Sequence, residues 1–191
     1  MKLGMLGGTF DPIHLGHLRA AENAREAFAL DRVAFVPAAE PPHRPRPVSS
    51  ALDRFAMVAL ATAGHASFVA SDLEIGREGP SYTVDTVGAL LGDGPASLFL
   101  IVGSDTFGEM KAWRDAARIF ALCEIAVVPR PGVEDAAPVP PFAGARVSRV
   151  PGPTLAISAT AVRGRVREGR SVRYLVPDAV ADYIAKRGLY S

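Results

Sequence analysis

The sequence predicts an α/β protein with a doubly wound (Rossmann-like), mostly parallel sheet, and three observations carry that reading. Short apolar runs alternate along the chain with stretches that repeat apolar residues at helical spacing. The residues able to do chemistry fall after the first, fourth and last of those runs, as expected where loops at the carboxyl ends of parallel strands share one crevice. A length of 191 residues, with 49% hydrophobic and 21% charged side chains, suits one domain with a sizeable core.

Lys2–Leu6 is short and mostly apolar, as an interior parallel strand should be. Leu15 to Phe28 reads as a helix with Leu15, Leu18, Ala21, Ala24 and Phe28 on one face and Arg19, Glu22, Arg25 and Glu26 on the other. Between them, Gly7-Gly8-Thr9-Phe10-Asp11-Pro12-Ile13-His14-Leu15-Gly16-His17 turns strand into helix. Its glycines let a ligand approach the backbone, and the free amides and dipole at the helix start favour an anion. His14 and His17 stand three residues apart, which puts both imidazoles on one face, able to donate hydrogen bonds to phosphate oxygens. A zinc site is the weaker reading: the common helical motif spaces its histidines by four with a Glu between, and no third ligand is near. No G-x-G-x-x-G follows the strand, which argues against a nicotinamide-cofactor fold. Plain helix capping would explain one histidine better than a pair beside Gly-Gly-Thr.

Arg32–Pro37 reads as a second strand, and Pro41–Pro47 as a rigid extended loop whose His43, Arg44 and Arg46 suit a second anionic group. Ser50 caps a helix over Ala51–Ala63 with Leu52, Phe55, Met57, Val58 and Leu60 as its apolar side; Arg54 on it fits either a solvated charge or the site. Phe68–Ala70 is a short third strand. Gly79-Pro80-Ser81-Tyr82-Thr83 then opens a helix to about Leu91, where Ser81 or Thr83 and the first-turn amides can take a carboxylate, although an ordinary N-cap fits the local sequence better.

Ser97–Val102 is the clearest buried strand. Gly103 after it would clear space for a nucleoside, and Asp105 would accept bonds from ribose or adenine, or cap a helix around Thr106 to Trp113. Trp113, the single tryptophan, is suited to packing or to stacking on a ligand. Glu124–Val128 gives a fifth strand, followed by Arg130, with a Pro-rich surface loop over residues 131–141 and a last strand at Val147–Val150. Ile157-Ser158-Ala159-Thr160 opens a helix whose hydroxyls, with Arg163 one turn on, form a second anion cradle. Arg165, Arg167, Arg170 and Arg173 read as a solvated face, and a final helix runs from Pro177 to its terminator Gly188.

The formal charge is +1, from 21 basic and 20 acidic residues, so nothing favours nonspecific binding to nucleic acid or to a membrane. One cysteine, Cys123, excludes an internal disulfide and fits a reducing compartment. No signal-type or membrane-length apolar run occurs, so the cytoplasm is the expected location. Oligomeric state stays open, a homo-oligomer included.

Gly7 to His17 resembles the signature of the nucleotidyltransferase superfamily, whose His-x-Gly-His element binds a nucleotide triphosphate while another phosphate attacks its α-phosphorus. Ser81-Tyr82-Thr83 followed by Val84-Asp85-Thr86 resembles a marker of bacterial nicotinate mononucleotide adenylyltransferases. The resemblance spans Gly7 to Pro177 and implies a single nucleotidyltransferase domain over 1–191, with a C-terminal helical subregion from about 157. It implies adenylyl transfer from ATP to nicotinate mononucleotide, with Mg²⁺ carried by ATP and no metal ligands in the protein. His14, His17 and Arg163 would be catalytic. Gly7, Gly8, Thr9, Phe10, Gly103, Asp105, Ile157, Ser158 and Thr160 would join them around ATP. His43, Arg44, Ser81, Tyr82, Thr83, Trp113 and Arg130 would hold the acceptor, and Arg54 also matches a family position. Three places depart from the family pattern: Arg44 stands where Lys is usual, Ser104 where Ala is, and Ala159 where a second Ser is. The rival readings are the same chemistry on nicotinamide mononucleotide or phosphopantetheine, and a nonenzymatic nucleotide-binding module.

Overall fold

A computed structural model describes residues 1–42, 47–129 and 139–191. In chain order the elements are β1 (Lys2–Gly8), α1 (Leu15–Phe28), β2 (Arg32–Pro37), α2 (Ala51–Thr62), β3 (Phe68–Ala70), α3 (Thr83–Gly92) and β4 (Ser97–Gly103). There follow α4 (Ser104–Glu109), a 3₁₀ turn (Met110–Ala112), α5 (Ala116–Leu122), β5 (Glu124–Val128), β6 (Val147–Arg149), α6 (Ala159–Arg167) and α7 (Asp178–Arg187). The strands form one sheet in the order β3-β2-β1-β4-β5-β6, every adjacent pair parallel. β1 is the hinge of that order: β2 pairs along one side of it, Leu3 opposite Arg32, and β4 along the other, Leu6 opposite Ile101.

Because side chains alternate across a strand, the apolar strand residues sort into two cores. Leu6, Val33, Phe35, Phe99, Ile101 and Ala126 pack under α1, α2, α6 and α7, where Ala21, Ala24, Met57, Val58, Val162 and Ile184 meet them. Met5, Val36, Leu98, Leu100, Val102 and Ile125 pack under α3 and α5, against Val84, Val87, Ile119 and Phe120. Burial of each such side chain stabilises the fold by roughly 1.5–3 kcal/mol before chain entropy is counted against it. Cys123 is buried and free, and burial pushes its thiol up to about 12.

The expected α/β sheet is observed, and the departures from expectation are local. The buried residues of α2 are Asp53, Arg54, Met57, Val58 and Thr62, and Leu52 and Leu60 lie off that face, 70% and 39% exposed. The helix expected around Thr106 starts at Ser104 and tightens into a 3₁₀ turn before Trp113, and α5 was not anticipated. The helix placed from Ile157 begins at Ala159, with Ser158 as its N-cap accepting from the Ala161 amide at 3.2 Å. The Pro-rich stretch 131–141 lies mostly outside the described residues.

Candidate active site

Where β2 and β4 flank β1, a cavity of about 680 Å³ opens beyond the carboxyl ends of the strands, the place where doubly wound sheets hold ligands. Gly7 and Gly8 at the end of β1 line it with Thr9, His14 and His17 beyond, and Gly103 at the end of β4 lines it with Asp105, Trp113 and Arg114 beyond. Glu74 and Ser81, Tyr82 and Thr83 at the start of α3 form another wall, and Pro153 to Ala159 a further one. Asn23 of α1 steadies that last stretch by donating to the Pro153 carbonyl at 2.8 Å.

The two histidines are stacked, their ring centroids 3.6 Å apart and their planes 21° from parallel. The backbone amide of His14 donates to His17 Nδ1 at 3.2 Å, so the proton of neutral His17 resides on Nε2 and is available to a ligand. Burial lowers His14 to about 4, and burial together with the His14 charge holds His17 well below its ordinary value. Both rings are therefore neutral at pH 7. His14 Nδ1 is buried with no hydrogen-bond partner, an arrangement that a ligand's polar group would relieve. Gly16 makes room for it: a Cβ there would meet His14 Nδ1 at 3.0 Å. Phe10, at φ +50 and 2% exposed, sits beneath the pair with its ring edge-on to His17 at 5.0 Å.

The loop before α1 is tied down from three directions. Asp11 is 4% exposed and accepts from the amides of Val48 (2.7 Å) and Ser49 (3.3 Å) and from the Tyr190 hydroxyl (2.7 Å). Arg163 Nη1 donates to the Asp11 carbonyl at 2.7 Å while its Nη2 reaches Thr160 Oγ1 at 3.3 Å. Arg54 is 1% exposed, so it is not a solvated charge: it donates to the carbonyls of Thr9 (2.8 Å), Ala38 (2.6 Å) and Ala39 (3.1 Å). Burial lowers its guanidinium, and the Asp11 carboxylate is the first of the groups opposing that shift.

At the other wall, the Ser81 hydroxyl is already engaged. It accepts from the amides of Ala39 (2.9 Å) and Glu40 (3.3 Å) and hydrogen-bonds Glu74. Glu74 is 5% exposed and also accepts from Thr86 Oγ1 at 2.6 Å; burial raises its carboxyl above the usual range. Thr83 remains as the hydroxyl at the head of α3; the Asp85 amide donates to the Tyr82 carbonyl at 3.1 Å, and the amides of Thr83 and Val84 have no intrahelical acceptor. Gly103 does not stand over open space: the volume a Cβ would fill is taken by the Asp105 carboxylate, 2.7 Å away.

Of the residues singled out from sequence, Gly7, Gly8, Thr9, His14, His17, Ser81, Tyr82, Thr83, Gly103, Asp105, Trp113, Ile157 and Ser158 line one cavity. Phe10 lies in the core beneath it, and Thr160 and Arg163 lie beside the lining rather than in it. His43, Arg44 and Arg130 fall outside the described residues. Sequence reasoning passed over Glu74 and Arg114 on the lining, and Asp11 and Tyr190 behind it. Arg114 had one available signal, its place directly after the tryptophan; the pairing of Asp11 with Tyr190 has none at such a separation.

A sequence model of the family described as Cytidylyltransferase-like matches residues 5–165 and, with the sheet order and the crevice at its switch point in keeping, places the chain among the nucleotidyltransferases. A Thermus thermophilus protein named "Probable nicotinate-nucleotide adenylyltransferase" is 46% identical over 192 residues, spanning 100% of each chain. One of the same name from Geobacter sulfurreducens is 44% identical over 213 residues, covering 100% of this chain and 99% of that relative. The chain belongs to the nicotinate-nucleotide adenylyltransferase family. Among solved structures, Plasmodium falciparum nicotinic acid mononucleotide adenylyltransferase complexed with NaAD superposes with a TM-score of 0.80 at 16% identity, over 99% of this chain and 97% of that one. That likeness is one of fold.

Proposed function

We propose that the chain transfers the adenylyl group of ATP to nicotinate mononucleotide, forming nicotinate adenine dinucleotide and pyrophosphate in NAD synthesis. One observation carries the reading: a single cavity is lined both by paired imidazoles at the head of α1 and by the head of α3 with Trp113 and Arg114. The first suits a triphosphate and the second a pyridine ring bearing an acid. The relatives' shared name supports the same acceptor.

In the reaction a phosphate oxygen of the acceptor attacks the α-phosphorus of ATP. A phosphorus–oxygen bond forms there as the bond to the bridging oxygen breaks, and the electron pair leaves on pyrophosphate. The nucleophile is already anionic, so no base is required, and the protein's task is alignment and charge stabilisation. His17 Nε2–H donates to the phosphates, with His14 beside it. A bound triphosphate opposes the burial that keeps these rings neutral and draws protons onto them. The amides of Gly8 and Thr9 face the reacting centre, and Asp105 the nucleoside. Thr160 and Arg163 take the β,γ end, a role that asks Nη2 to leave Thr160 for phosphate while Nη1 keeps the Asp11 carbonyl. Mg²⁺ would come with the substrate, carried by the triphosphate, where it would neutralise phosphate charge. We read residues 1–191 as one catalytic domain with a helical part from about 157, at work in the cytoplasm.

The test is an acceptor panel with ATP, products identified by mass. Nicotinate mononucleotide should exceed the nicotinamide form in kcat/KM by at least about a hundredfold, because an amide points donors at donors. Similar efficiencies would overturn the acceptor assignment. Absence of pyrophosphate release with every acceptor would favour a nucleotide-binding module instead.

A further inference from the structure

Charged side chains on the cavity wall are unevenly distributed. Among the described lining residues, Glu74, Asp105 and Glu109 are acidic, and Arg114 is the single Arg or Lys. The substrates proposed above are themselves anions. A pyridine carboxylate entering beside the buried Glu74 would meet like charge, and the Ser81 hydroxyl is committed to Ala39, Glu40 and Glu74. Backbone amides and a helix dipole supply only partial positive charge there.

Arg114 is placed to supply the rest. Its guanidinium carbon lies 4.5 Å over the ring centroid of Tyr82, the N-cap of α3. A guanidinium over an aromatic face keeps N–H groups available at its edge, and that planar fork matches a carboxylate with two hydrogen bonds. No hydrogen bond or ion pair within the described residues uses that fork. Arg114 follows Trp113, itself on the lining, and the ring that carries it belongs to the residue before Thr83, whose amide and hydroxyl head the helix.

We infer that the Arg114 guanidinium, held over the Tyr82 ring, pairs with the pyridine carboxylate of the acceptor and adds to the preference for the acid over the amide that the head of α3 provides. This specificity role rests on the acceptor reading above. Arg114 is exposed, so water and salt screen the pair and its effect is moderate.

The experiment measures kcat/KM for nicotinate and nicotinamide mononucleotides at saturating ATP, in the unsubstituted chain and in Arg114→Ala, Arg114→Lys and Tyr82→Leu. Arg114→Ala should lower the nicotinate value by about tenfold, mainly through KM, and change the nicotinamide value by less than about twofold. Arg114→Lys should retain part of the preference, and Tyr82→Leu should lose part of it by removing the platform. Rising salt should narrow the gap between the unsubstituted chain and Arg114→Ala. Equal losses on both acceptors would assign Arg114 to a group the two share, the phosphate, and overturn the inference. Unchanged values on both would overturn it as well. Turnover of neither mononucleotide by the unsubstituted chain would instead overturn the acceptor reading itself.

Discussion

Burying His14 as a neutral ring makes the fold sensitive to mild acid, and the size of the effect can be worked out. Its pKa is about 4 in the folded chain and about 6.5 when unfolded. Between those values the unfolded state binds the proton and the folded state does not, so stability falls as pH falls from about 6.5 towards 4. At pH 5 the linkage amounts to about 2 kcal/mol relative to pH 8, and the full separation to about 3 kcal/mol. His17 is shifted in the same direction and adds to the loss. Glu74 works the other way, since a raised carboxyl favours the folded state as protons are added. The lowered carboxyls of Glu22 and Asp53 lose their contribution only in stronger acid. Comparison with His14→Gln isolates the ring. Urea unfolding at steps from pH 8 to pH 5 should show the unsubstituted protein losing about 2 kcal/mol more than the variant. Inorganic tripolyphosphate, an anion beside the imidazoles, should reduce that difference by raising their affinity for protons. Parallel stability curves for the two proteins, within about 0.5 kcal/mol, would refute the account of a buried neutral pair.

Two further perturbations test the loop and the chemistry. Arg54→Met should destabilise the fold by about 3–5 kcal/mol, because three carbonyls lose their donor and Asp11 loses its counter-cation; a urea midpoint shift worth under 1 kcal/mol would show that water takes the guanidinium's place. His17→Ala should lower kcat by about a hundredfold or more, as for removal of one oxyanion donor, and near-normal turnover in a folded variant would remove His17 from the reaction.

The inner strands were legible because they are buried on both faces, so β4 appears as an unbroken apolar run whatever its neighbours are. α2 was only half legible. Its periodicity identified the helix, but the stripe that faces inward includes Arg54, which hydropathy assigns to solvent, and excludes Leu52, which hydropathy assigns to the core. α5 is seven residues long, too short to show a period. Within the site, His14 and His17 could be read because their relation is local, three positions on one helix. The supports behind them could not, because Asp11 meets Tyr190 across 179 positions and Arg54 meets Thr9 across 45. Ser81 shows a further limit: the sequence offers a hydroxyl, and only the fold reveals that its bonds are already made.

The fastening of Asp11 also imposes an order on maturation. The amides of Val48 and Ser49 lie 37 and 38 residues downstream and can reach the carboxylate while β1 and β2 assemble, but the Tyr190 hydroxyl comes 179 residues later. During vectorial synthesis the loop that carries the histidine pair therefore passes a long interval with its carboxylate incompletely satisfied and the Arg163 clamp on its carbonyl still absent. Closing so long a segment is entropically costly and is deferred until the sheet has brought its ends together. A nascent chain with β1 to β4 in place would already hold the strands on both sides of the crevice. Catalytic competence would arrive with the last helices, as a late and separable event.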